Sequence, residues 1–150
     1  MTEDRDALIE RYRRSREEFL AAIEGLTEEQ LLERSHNGWC VKDHMVHLAF
    51  WDELRATEVT RLSAGFESAW RLSTEADDTL NGLVTAARWD LSLAQVEWEF
   101  AESHRRLMDA LVLATPEGLD PSRYGEAGLT SGHESEHAAW IREWRAERGY

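Results

Sequence analysis

The sequence predicts an all-α chain, a four-helix bundle with one long crossover connection, and three observations carry that reading. Apolar residues recur at helical spacing along four long stretches, proline is confined to Pro116 and Pro121, and nothing alternates like a strand. At 150 residues the chain has the length of one domain, so a single domain over 1–150 is expected.

Leu8, Tyr12, Phe19, Ile23 and Leu26 fall close to one face and place the first long helix near residues 3–24, with Gly25 closing it. Thr27 and Gln30 form a capping-box pattern for a short helical turn through Arg34, and residues 35–38 read as a loop. The second long helix should run over 41–64, with His47, Trp51, Leu54 and Leu62 on one face. Glu58 interrupts that face about 16 Å along the axis from His47, and is expected to reach solvent at the far end of the bundle. Residues 66–81 read as an acidic connector carrying Trp70, Asp77 and Asp78, followed by a short helix near 79–90. Ser92 and Gln95 cap a third long helix over 92–115, marked by Val96, Phe100, His104, Leu107 and Leu111. Both prolines and Gly118, Gly125, Gly128 and Gly132 put a loop at 116–132. The last helix spans 131–148, with His133, His137, Trp140 and Trp144 on one side. An up-and-down arrangement of the four long helices is expected. Trp51, Trp98, Trp140 and Trp144 read as core, while Trp39 and Trp70 are candidates to flank a substrate.

Charge narrows the function. Thirty acidic against seventeen basic residues give a net charge of −13, which argues against a nucleic-acid partner and against an anionic membrane surface. The one cysteine, Cys40, cannot form an internal disulfide, which fits a reducing, cytoplasmic location. No signal pattern opens the sequence, and no apolar run approaches the roughly 20 residues of a membrane span.

Six histidines supply the candidate chemistry: His36, His44, His47, His104, His133 and His137. His133 and His137, four apart, project from the same side of a helix and suit one metal ion. A short pair of this kind recurs by chance and carries little alone. The side they share with Trp140 and Trp144 faces the core, however, and two neutral imidazoles there need a partner, of which a metal is the simplest. His47 begins the inward stripe of its helix near the N-terminal end, as His133 does. Helices meeting at one end of a bundle would then assemble a three-histidine site with open positions. Such ligands suit zinc or nickel first, with iron, cobalt, manganese and copper also accommodated.

Residues 38–51, GWCVKDHMVHLAFW, resemble the first metal motif of the DinB-like (YfiT-like) superfamily, in which a ligand histidine follows eight residues after a tryptophan; Trp39 and His47 match. Residues 132–141, GHESEHAAWI, are similar to the second motif, which supplies two ligands from the final helix. Asp78–Asn81 and the Ser92 helix start also resemble the pattern. The resemblance implies a four-helix bundle that binds a divalent metal through His47, His133 and His137. Characterised members include isomerases and transferases that use a low-molecular-weight thiol. Such bundles often pair, which implies a possible homodimer, with Trp70 and Trp89 left partly exposed.

Cys40 departs from the pattern, standing where a Ser or Thr usually caps the helix; it reads as a weak cap, or as a thiol activated by the helix terminus and opposed by Asp43. His44, at a position the pattern leaves variable, is expected at the rim rather than as a fourth ligand. His104 is expected to line the cavity or to donate to a carbonyl, and His36 to have no specific role. Residues 133–137 also spell H-E-x-x-H, the zinc-peptidase signature, but only 13 residues follow and no strand is present to cradle a peptide. Glu134 remains a candidate catalytic, proton-transferring residue beside a ligand. The leading expectation is an enzyme that activates a water or a small thiol for attack on a small electrophilic substrate, by transfer, isomerisation or hydrolysis. The alternatives are a non-catalytic metal- or ligand-binding bundle in a stress response, and a purely structural dimer.

Overall fold

Side-chain caps decide where the helices begin. A computed structural model describes residues 1–35, 37–70, 73–125 and 128–150. It contains helices α1 (Arg5–Ile23), α2 (Glu28–Leu32), α3 (Val41–Ser63), α4 (Thr74–Ala87), α5 (Leu93–Val112) and α6 (His133–Arg148), with a 3-10 turn at Pro121–Arg123 and no strand among the described residues. The Asp4 carboxylate accepts from the Ala7 amide at 2.8 Å to open α1. Thr27 and Gln30 cap α2 reciprocally, each side chain accepting from the other's amide, as the sequence predicts. Ser92 accepts from the Gln95 amide at 3.2 Å and opens α5. Gly149, at φ 76°, ends α6 in the left-handed conformation that glycine adopts without a steric penalty.

Two expectations need correction here. The connector after α3 turns helical at Thr74, five residues before the expected 79, because Ser73 supplies a cap that accepts from the Ala76 amide at 3.3 Å. The long helices also do not simply alternate. Contacts between α1 and α6 advance in step, from Ser15 with Ser135 to Glu18 with Arg142 and Ala22 with Arg145. Those between α3 and α5 do likewise, from Asp52 with His104 to Ser63 with Thr115 just past the end of α5. Both pairs are therefore parallel, whereas His44 and His47 of α3 meet His137 and His133 of α6 in reverse order. The order is up, down, down, up, and the long crossover is the 64–92 segment that carries α4 from the end of α3 to the start of α5.

A charged layer divides the core in two. One apolar cluster gathers Phe19, Met45, Leu48, Phe100 and Ile141; the other gathers Leu8, Val59, Leu107 and Leu111. Between them lie Arg16, Asp52, Arg55 and Glu134, all buried. Three further placements differ from expectation. Glu58 is buried rather than solvated, because its carboxylate is ion-paired with Arg61 and accepts from the Ser68 hydroxyl at 2.6 Å and the Ala69 amide at 3.2 Å, anchoring the segment after α3. Trp98 and Trp140, placed in the core by periodicity, are 63% and 49% exposed: Trp98 stands on the side of α5 opposite Val96, Phe100 and Leu107, and Trp140 at the edge of the buried face of α6. No helix among the described residues is long and apolar enough to cross a membrane.

Candidate metal centre

Antiparallel packing of α3 on α6 brings four imidazoles together at one end of the bundle. His47, His133 and His137 each present one ring nitrogen, and these three atoms lie within 4.8 Å of one another. His47 Nε2 and His133 Nε2 are 2.8 Å apart, and the Nδ1 atoms of His44 and His137 are 2.7 Å apart. One nitrogen of each pair carries the hydrogen and the other accepts it. Trp39 leans on this group, its ring centroid 5.2 Å from that of His47 and 5.3 Å from that of His44. Trp140 closes the other side, 4.7 Å from His137.

Burial keeps these rings neutral. It lowers the pKa of His44 and His47 to about 4 and that of His133 to about 2, and depresses His137 as well; neighbouring imidazoles add to the shift at His47, His133 and His137 and Arg55 to that at His47 and His133, while Asp43 opposes it at His44. A neutral imidazole offers a lone pair, which a metal requires. His133 Nδ1 is buried without a hydrogen-bond partner. Three neutral donors converging where a cleft of about 500 Å³ opens between Asn81 and Trp140 fit a divalent ion with positions left open.

The model of the DinB superfamily matches residues 11–141. The chain belongs to this superfamily. No curated protein and no solved structure matches it. Both motifs on which the resemblance rests lie inside the matched segment, and the folded chain brings their histidines together as a DinB-like reading implies.

The remaining candidates fall in different places. His44, expected at the rim, is buried against His137 and lies outside the compact group of three. Its neighbour at the site was not foreseen, because helical spacing alone set it about 60° away from His47. His104 lies in the charged layer, its Nδ1 3.5 Å from Asp52 and 3.9 Å from Glu134, rather than in the cleft. His36 falls outside the described residues. Cys40 opens α3 weakly: Asp43 does the capping, accepting from the Cys40 amide at 3.0 Å and from its thiol at 3.3 Å. Burial pushes that thiol's pKa up, with Asp43 adding to the shift through its charge and its side-chain contact. Trp70 sits with Glu58 and Tyr124 at a separate surface crevice.

Glu134 points away from the histidines. Both its oxygens are held by Arg16, at 2.8 and 2.9 Å, and it lines neither cleft that the histidines share. Burial pushes its carboxyl pKa up and the guanidinium opposes that shift. Asp52, His104 and Glu134 also cluster closely enough to hold a cation, but the Arg16 guanidinium already takes that place, 3.0 Å from Asp52 and 2.8 Å from Glu134.

Proposed function

We propose that His47, His133 and His137 hold one divalent metal ion and that the site activates a water or a small-molecule thiol toward a small electrophilic substrate. The observation that carries this is the convergence of three neutral, buried imidazoles beside an open cleft. A metal bound there supplies Lewis acidity, which makes a coordinated water or thiol acidic near neutral pH.

The chain's own residues prepare that chemistry. Burial keeps the imidazoles unprotonated. His44 fixes His137: with the hydrogen on His137 Nδ1 and donated to His44, His137 Nε2 keeps its lone pair for the ion. Trp39 and Trp140 flank the rings and limit the water that reaches them. Arg16 fastens Glu134, the residue next to His133, and so holds the start of α6 in register with α1. Glu134 acts on this reading as a positioning residue.

Elemental analysis of protein purified without a nickel column tests the proposal. About one ion per chain is expected, lost when His47, His133 or His137 becomes alanine. Metal that survives all three replacements would refute the ligand set. A screen of zinc-loaded protein with small thiols and electrophiles would then separate a thiol-dependent enzyme from a hydrolase or a non-catalytic binder.

A further inference from the structure

A second cleft adjoins the histidines. Its volume is about 250 Å³, just below the usual range for small-molecule sites, which suits a small ligand or one end of a larger one. Trp39, His44 and Trp140 line both this cleft and the one at the histidine cluster, so they form the partition between them. One wall continues along α6 through Ile141 and Trp144, and the other is Val41 at the start of α3. Three indoles around so small a space suit a flat apolar group.

The charged residues that line it have one sign. Glu33 and Glu143 line this cleft, Asp78 and Glu136 line its neighbour, and no lysine or arginine lines either among the described residues. Glu33 is held by Arg148 at 3.1 Å and by the Tyr150 hydroxyl at 2.5 Å. Glu143, Glu136 and Asp78 have no ion-pair partner among the described residues. Arg55 reaches the histidines only from the opposite side, where Asp52 and the Gly128 carbonyl engage it. Indole faces attract a cation through their negative π-surface, and unpaired carboxylates in the lining reinforce that while repelling an anion.

We infer that this tryptophan cleft binds the flat apolar, ammonium-bearing end of the substrate, with Glu143 facing the ammonium and Trp140 its apolar body, so that the site selects cationic over anionic small molecules. The inference rests on the histidine cluster being the reacting centre, because the shared partition directs the other end of such a ligand there. Trp140 and Glu143 are specificity-determining residues on this account: one helical turn of α6 carries both, next to His137.

Calorimetric titration of the full chain with benzyltrimethylammonium, benzyl alcohol and phenylacetate tests it, on protein stripped by a chelator and on zinc-loaded protein. In stripped protein the cation should bind about tenfold tighter than phenylacetate. Glu143→Gln should weaken the cation about threefold and leave benzyl alcohol unchanged. Trp140→Ala should weaken both, and because both side chains are exposed, neither change endangers the fold. Phenylacetate binding as tightly as the cation, or neither variant altering cation affinity, overturns the inference. The two readings fail separately. Zinc retained by the histidines with no cation preference sinks the substrate class alone, whereas cation preference in a chain that retains no zinc sinks the metal site alone.

Discussion

Replacing Arg16 with methionine removes the charge at the centre of the buried layer while keeping most of the side chain's length and volume. The guanidinium contacts Glu134 at 2.8 and 2.9 Å, Asp52 at 3.0 Å and the Phe100 carbonyl at 2.9 Å, and its central carbon lies 3.5 Å from the centre of the Phe100 ring. Asp52 and Glu134 are both nearly inaccessible to water. Methionine would preserve the packing on Phe100 but strand two buried carboxylates, with Arg55 at 3.8 Å from Asp52 the nearest remaining guanidinium. Breaking a buried ion pair from one side costs about 3–5 kcal/mol, a large part of a typical domain's stability. Urea denaturation followed by circular dichroism should therefore show a much lower midpoint. Arg16→Lys should fall between, since it keeps the charge and loses the forked geometry. Adding Glu134→Gln to Arg16→Met should recover part of the loss, because a buried amide does not require a cation. A loss below about 1 kcal/mol for Arg16→Met alone would refute the reasoning, and would mean that the layer is solvated.

Other expectations are more compact. Between pH 6.5 and about 4 the unfolded chain takes up protons on His44 and His47 that the native chain refuses. In metal-free protein these histidines should therefore add no pH dependence above 7 and cost about 1.4 kcal/mol per pH unit each below 6.5; a constant urea midpoint from pH 7 down to pH 5 would count against it. His44→Ala should keep stoichiometric metal but bind it about 10–100-fold more weakly, as removal of a residue orienting a ligand does; competition with a chromophoric chelator measures this, and unchanged affinity would remove His44 from that role. Cys40 should react slowly with a thiol reagent in the folded chain and at an ordinary rate in urea, because burial raises its pKa. We also expect a homodimer, with Trp89 and Trp98, both largely exposed, as the residues to test; light scattering at the mass of one chain at high concentration would oppose it.

The long helices were legible because burial imposes a period near 3.6 on each, and the two histidine motifs were legible because a helix aligns residues four apart. What the sequence concealed was long-range. Nothing near Ser15 or Asp52 in the chain announces that α1 runs parallel to α6 and α3 to α5, so the alternating arrangement was the simpler expectation. Glu58 looked solvent-bound because its partners, Ser68 and Ala69, lie in a connector with no periodicity. His44 looked peripheral because its neighbour His137 belongs to another helix. The charged layer was missed for the same reason: Arg16, Asp52, His104 and Glu134 come from four different helices. A signal was present, however, since Arg16, Asp52 and His104 each interrupt an otherwise apolar stripe of their helix.

That layer also bears on the H-E-x-x-H coincidence. In a zinc peptidase the glutamate is the general base and must face the ion and its water. Here the step from His133 to Glu134 turns about 100° around α6, and Arg16 waits on that side with a guanidinium that takes both carboxylate oxygens. Glu134 is thereby removed from competition for the cation and from proton transfer at the cleft. The three ring nitrogens that converge there belong to neutral imidazoles, which on the proposed reading would leave a bound ion's charge undiminished, whereas a carboxylate ligand would cancel part of it. With a metal held as proposed, such a site would favour the deprotonated form of whatever small acid bound it, water or thiol. The consequence is a division of labour along one helix: His133 and His137 present lone pairs on one side, while Glu134 on the other fixes where that side points.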